Sequence, residues 1–184
     1  MALPITRLAV TGSTGFIGSR LCRTAASQGV QLLPVSIRPE SPLHGALSSN
    51  VHEDPPQALI HLAARVHVMR EPSSDPMVAY RRANVDGTLD LARTAARLGV
   101  RRFVFVSSVK VNGEQTLADH GFSEADAAAP QDAYGQSKLE AEMGLRELAS
   151  DTGMELVIIR PPLVYGSGVK ANFAALMRAV QRGW

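Results

Sequence analysis

Tyr134 and Lys138 stand four residues apart in the stretch AYGQSKLEAE. The pattern of that stretch predicts a helix, so the two side chains share one face, one turn apart. An unperturbed phenol ionises at about pH 10 and is a poor base in neutral water. A neighbouring ammonium favours the phenolate and lowers that value. A phenol tuned in this way can exchange a proton with a hydroxyl or a carbonyl. Many helices carry such a pair by chance, so its meaning depends on what else the fold brings to it.

Two further groups of residues bear on that question. The apolar run FVFV ends in Ser107-Ser108. In an open α/β sheet ligands bind at the carboxyl ends of the strands, and a hydroxyl there can hydrogen-bond a reacting oxygen. Near the start of the chain, RLAVTGSTGFIGSRL places Gly12, Gly15 and Gly18 three residues apart where a strand hands over to a helix. One glycine supplies the backbone angles of a tight turn, a second clears space for a phosphate, and the third lets helix and strand pack closely. The N–H groups and dipole of the helix start favour an anion at that place.

These residues need a scaffold, and the hydrophobic pattern supplies one. Apolar runs at Leu8–Thr11, 30–38, 57–64, 101–108 and 154–162 read as strands, with Pro34 awkward for a central one. Helical patterns follow at 15–29, Ser74–Leu98, 133–153 and 172–184. Gly29, Gly99 and Gly153 act as stop signals, and Gly87 inside the second helix points to close packing. The stretch 39–56 is rich in Pro and Ser and reads mostly as loop, as does 109–132. Strands that alternate with helices of ten or more residues imply βαβ units and a parallel sheet. Near-continuous apolar strands imply helices on both faces. The fold class is therefore α/β, a doubly wound parallel sheet.

Bulk properties narrow the function. With 184 residues the chain is long enough for one domain with a sizeable core. A formal charge of +2 gives no case for nucleic acid or an anionic membrane. The single cysteine, Cys22, excludes an intramolecular disulfide and reads as a small core residue. No apolar stretch approaches the ~20 residues that span a bilayer, and the N-terminus lacks a signal-peptide core, so a cytoplasmic location is expected. His44, His52, His61, His67 and His120 show no metal-ligand spacing, and no metal is expected.

At TGSTGFIG the chain resembles the extended short-chain dehydrogenase/reductase family, the nucleotide-sugar epimerases, dehydratases and reductases. The resemblance implies a Rossmann fold binding NAD or NADP, with Gly12, Gly15, Phe16, Ile17 and Gly18 at the cofactor. At the end of the second strand an acid favours NAD and a basic residue favours NADP. Ser36 and Arg38 stand there, with Glu40 close by, so NADP is slightly favoured.

The same resemblance assigns further residues. Aligned on Gly113, Ser108 takes the catalytic serine position and Ser107 supports the backbone or touches cofactor. Tyr134 becomes the acid/base, and Lys138 lowers its pKa and holds the nicotinamide ribose. HLAARV places Leu62, Ala63 and Ala64 near the cofactor's phosphate and ribose. NVDGT gives Asn84 the task of steadying the active-site backbone, and RPPLVYG puts Pro161 to Val164 nearest the nicotinamide.

Two departures from the family pattern matter. The 39–56 segment is short for the helix and strand usual there, and Asp54 is the one candidate for an acid near the adenine. The family's smaller C-terminal substrate domain is not expected within residues 1–184, which read as a dinucleotide-binding domain, either the N-terminal fragment of a longer enzyme or a trimmed relative, that binds cofactor with little turnover by itself. Val109-Lys110 replaces the Asp-Glu pair of the 4,6-dehydratases, which leaves C4-epimerase or 4-keto reductase. The C-terminal stretch is similar to bacterial enzymes of polysaccharide biosynthesis acting on UDP-N-acetylhexosamines. A homodimer through the helices bearing Asn84 and Tyr134 is implied. The rival reading is a non-catalytic dinucleotide-binding regulatory or scaffold module.

Overall fold

The computed structural model describes residues 4–36, 54–66, 75–116, 119–169 and 171–183. Five short strands form one parallel sheet: β1 (Arg7–Thr11), β2 (Gln31–Val35), β3 (Ala58–His61), β4 (Arg102–Val106) and β5 (Glu155–Ile159). Their spatial order is β2-β1-β3-β4-β5. The chain leaves β1 to one side for β2 and returns on the other side for β3. That reversal opens a crevice beyond the carboxyl ends of β1 and β3, the place where such sheets bind ligands.

Alternation along β1 divides the core between two faces. Leu8 and Val10 point to one side, where Leu21 and Cys22 of α1 (Phe16–Ser27) pack on them. Ala9 points to the other, joining Leu59, Phe103 and Phe105 beneath two further helices. These helices are α3 (Gly87–Arg97), which contributes Leu91, Ala92 and Ala95, and α4 (Ala133–Thr152), which contributes Ala141, Leu145 and Leu148. Helices thus pack on both faces around β1, with the buried Phe103 and Phe105 rings of β4 in the larger cluster, while Val157 and Ile159 on one face of β5 stay exposed. The last helix, α5, spans Ala171–Gln181. Among the described residues no helix is long and apolar enough to cross a membrane.

Several local features differ from the pattern read in the sequence. Pro34 is accommodated because β2 is an edge strand among the described residues, where a missing N–H costs no central ladder bond. The helix over 74–98 starts at an Asp75 cap, whose side chain accepts from the Met77 amide, with Pro76 in the first turn. It is not uniform: α2 (Pro76–Tyr80) runs into a π turn over Arg81–Asp86 before α3 begins. Gly87 closes that turn by donating to the Arg82 carbonyl five residues back. A side chain there would come no nearer than 3.7 Å to that carbonyl, so Gly87 marks the helix change and no close packing. The strand read over 57–64 stops at His61, because the Leu62 and Ala63 amides leave the ladder to bond the Thr11 hydroxyl.

Candidate active site

The glycine loop that follows β1 turns as the spacing required. Gly12 has φ +67°, and a Cβ on it would lie 2.9 Å from the Ala63 nitrogen. The loop after β3 therefore presses directly on it. Gly15 donates to the Gly12 carbonyl at 2.9 Å and forms the N-cap of α1 with no side-chain cap. A Cβ on Gly18 would collide with the Gly12 carbonyl, so that glycine lets α1 dock on the loop. The first turn of α1 carries no acidic residue, which leaves its amides and dipole available to an anion.

The exits of β4 and β5 form the opposite wall. The Ser107 amide donates to the Ile159 carbonyl at 2.7 Å, and the Val109 amide donates to that of Pro161 at 3.1 Å. Ladder pairing thus continues past the strands and holds the two serines beside the Pro161-Pro162 pair. Ser108 is extended and accepts from the Lys110 amide at 3.2 Å, starting the short turn Val109–Val111. The buried Ser107 Oγ has no hydrogen-bond partner among the described residues.

Helix α4 brings the remaining groups. Asp132 caps it, accepting from the Gly135 amide at 2.6 Å. Tyr134 lies in the first turn and shares a side-chain hydrogen bond with Ser108. Its ring also meets Tyr80 edge-on, with centroids 6.3 Å apart. Lys138, one turn on, is buried with its ammonium 4.0 Å from the Phe105 ring centroid. A bidentate ion pair of Glu142 with Arg160, at 2.9 and 2.6 Å, ties the same helix to the end of β5 just before Pro161.

Electrostatics at these groups departs from the simple expectation. Burial pushes the Tyr134 phenol up, and the Asp132 carboxylate pushes it the same way. The Ser108 hydrogen bond and the Lys110 charge pull it down without prevailing. The ammonium that opposes the rise is thus Lys110, where the sequence pointed to Lys138. Lys138 is itself pushed down to about 7 by burial, with Glu142's charge resisting. The phenol is therefore a proton donor at neutral pH, and Lys138 is poised near neutrality.

One cleft of about 410 Å³ gathers most of the residues that the sequence singled out. On the glycine side it is lined by Gly12, Gly15, Phe16, Ile17 and Gly18, with Leu62 and Ala64 from the loop after β3. On the other side stand Ser107, Ser108, Tyr134 and Lys138, with Pro161 and Val164. Ala63 sits behind this lining, held by Thr11. Asn84 does not reach the cleft either. It is buried, donating to the Arg65 carbonyl at 3.0 Å and to Ser137 at 3.0 Å, and accepting from the Arg65 amide at 2.7 Å. Ser137 in turn donates to the Tyr134 carbonyl, so Asn84 ties the loop after β3 to the helix of the phenol. Ser36 follows β2 directly and is exposed, outside the cleft lining. Arg38 and Glu40 lie outside the described residues. Asp54 pairs with Arg7 at 2.5 Å, at the amino end of β1, and so stands at the wrong edge of the sheet for an adenine contact.

The sequence reading passed over some of these residues. Val66 and Val106 also line the cleft, beside Pro162 of the Pro161–Val164 stretch. Asp132 and Lys110 act on the phenol from behind it, and an Asp directly before a helix is a recognisable capping signal. His61 and Thr11 are polar groups inside apolar runs, and such groups must find partners when buried.

The glycine cradle, the uncapped helix start and the orphaned Ser107 hydroxyl fit a bound dinucleotide. Comparison with known proteins agrees. Residues 8–183 match the family model of the NAD dependent epimerase/dehydratase family. A UDP-glucose 4-epimerase of Vibrio cholerae is 44% identical over 185 residues, covering 95% of this chain and 56% of its own length. The structure of MoeE5 in complex with UDP-glucose and NAD superposes with a TM-score of 0.74 at 33% identity, over 96% of this chain and 62% of that one. RMD from Pseudomonas aeruginosa complexed with NADPH superposes with a TM-score of 0.79 at 29% identity, over 96% and 62%. The chain thus spans little more than half the length of the relatives it matches. It belongs to the NAD dependent epimerase/dehydratase family.

Proposed function

We propose that this chain is the dinucleotide-binding domain of an NAD(P)-dependent nucleotide-sugar C4-epimerase or 4-keto reductase. The observation that carries the reading is the convergence of Ser108, Tyr134 and Lys138 on the cleft that the Gly12–Gly18 loop closes. The loop and the start of α1 would hold the pyrophosphate, with the side chains of Phe16 and Ile17 on the same wall. Lys138 would hold the nicotinamide ribose and Ser107 would satisfy its hydroxyl on the cofactor. The bound cofactor supplies hydride acceptance and donation.

The residues of the chain then handle the proton. Ser108 hydrogen-bonds the reacting oxygen and orients it toward Tyr134. Tyr134 gives its proton to a sugar carbonyl as hydride arrives, and in the reverse direction only its ionised fraction, which the raised pKa keeps small at neutral pH, takes one from a hydroxyl as hydride leaves. Lys110, in the position of a dehydratase acid, is engaged by Asp132 and Glu114, which supports redox chemistry at C4 over elimination. The NAD-bound and NADPH-bound relatives support the cofactor class and leave both dinucleotides as candidates. UDP-glucose and UDP-N-acetylglucosamine are the sugars to try first. The implied homodimer would use the helical stretch 76–97 that bears Asn84 and the α4 helix that bears Tyr134, on which Val78 and Met143 are exposed.

The test is reduction of the nicotinamide by these UDP-sugars, read by absorbance. It is expected to be slow with residues 1–184 by themselves, which span 56% of the length of the Vibrio cholerae relative, since catalysis depends on how well the sugar is positioned. Tyr134→Phe should slow it at least about a hundredfold while cofactor binding is retained. An unchanged rate would remove Tyr134 from the mechanism.

A further inference from the structure

His61 is the last residue of β3 and is fully buried, yet the proton-transfer scheme gives it no task. Its surroundings fix its protonation. The Thr11 hydroxyl oxygen accepts from the Leu62 amide at 3.1 Å and the Ala63 amide at 3.2 Å. A hydroxyl has one proton to give, and the remaining neighbour of Thr11 Oγ1 is His61 Nδ1 at 2.6 Å. His61 Nδ1 is therefore the acceptor. The ring proton sits on Nε2 and is donated to Thr88 Oγ1 at 3.0 Å. The ring stacks on Phe105, the same ring that Lys138 covers, with centroids 5.9 Å apart. Burial and the Lys138 charge hold the imidazole neutral, its pKa pushed down to about 3.

The amides held in this way belong to the loop that presses on Gly12, where a Cβ would lie 2.9 Å from the Ala63 nitrogen. We propose that His61 is a positioning residue for the dinucleotide: acting through Thr11, it clamps the Leu62–Ala63 backbone against the glycine loop and so sets the width of the cleft. This rests on the reading that the cleft seats NAD(P). Without the imidazole acceptor the Thr11 proton has no buried partner, and the hydroxyl turns away from the two amides.

The test is a fluorescence titration of the chain with NADH and NADPH. His61→Leu and Thr11→Val should each weaken binding about tenfold, the scale of one lost hydrogen bond. The double variant should be no weaker than Thr11→Val, because both act through one clamp. His61→Asn, whose amide oxygen can accept the Thr11 proton, should bind within about threefold of wild type. Additive losses, or full affinity in His61→Leu, would overturn the clamp while leaving the cleft assignment standing. Failure of the wild type to bind either dinucleotide would overturn the cleft assignment itself and the clamp's purpose with it. Nitrogen NMR of the wild-type histidine gives a readout independent of any folding defect. A proton on Nε2 supports the proposal and a proton on Nδ1 overturns it.

Discussion

Asp132 and Lys110 meet at 2.5 Å, and their opposite charges act on the Tyr134 phenol in opposite directions. The carboxylate raises the phenol's pKa and the ammonium lowers it. Asp132 also caps the helix, a task that Asn performs equally well. Asp132→Asn should therefore keep the fold, remove the charge that opposes ionisation and leave Lys110 paired with Glu114. The Tyr134 ionisation is expected to move to lower pH, read as tyrosinate absorbance with Tyr134→Phe as the blank. A Tyr134 titration unchanged by Asp132→Asn would show that the pair does not tune the phenol.

Lys138 gives a prediction about stability. Its pKa falls from the ordinary 10.5 to about 7 in the folded protein. Below pH 7 both folded and unfolded states bind the proton, and the full cost of the buried charge is present. Between 7 and 10.5 the unfolded chain keeps its proton while the folded protein gives it up, so stability rises with pH across that window. Replacing Lys138 by Met removes the buried charge and should stabilise the protein by about 2 kcal/mol or more at low pH. The rise toward alkaline pH should disappear with it. Urea unfolding at about pH 6 and about pH 9 checks both expectations. An equal slope in wild type and variant would mean that the lysine is hydrated in the folded state.

Much of this architecture was legible because it is local. FVFV and LVII announced strands, and β4 and β5 lie where those runs stand, but the cover expected on two sides fails at β5, where Val157 and Ile159 stay exposed. The glycine spacing between a strand and a helix announced the loop, and the four-residue step from Tyr134 to Lys138 announced their common face. The π turn was hidden because one extra residue within a turn barely disturbs a helical hydrophobic pattern. The hold of Thr11 on Leu62 and Ala63 was hidden because its partners lie 51 and 52 residues away in sequence. Asp54 was placed at the adenine on chain position alone, and its pairing with Arg7 depends on sheet register that the sequence does not display. Lys110 was read by the acid it replaces, while its contact with Asp132 spans 22 residues of loop and turn.

On the proposed reading the start of α1 seats the pyrophosphate of a dinucleotide. Gly15 has the extended angles of an N-cap, φ −71° and ψ 176°, with no side chain to fill that role. An aspartate there would cap the first turn, worth only about a few tenths of a kcal/mol over glycine, against a Cβ that would lie 3.1 Å from the Gly12 carbonyl. The same carboxylate would stand where the phosphate must lie, and like charges that close cost several kcal/mol of affinity. The decisive measurement is titration of wild type and Gly15→Asp with NADH and NADPH, beside a thermal melt of each. Wild type should bind at least one dinucleotide saturably, and Gly15→Asp should lose at least about a hundredfold while still melting in one cooperative transition. Equal affinity in a folded Gly15→Asp, or no binding by wild type, would contradict that reading.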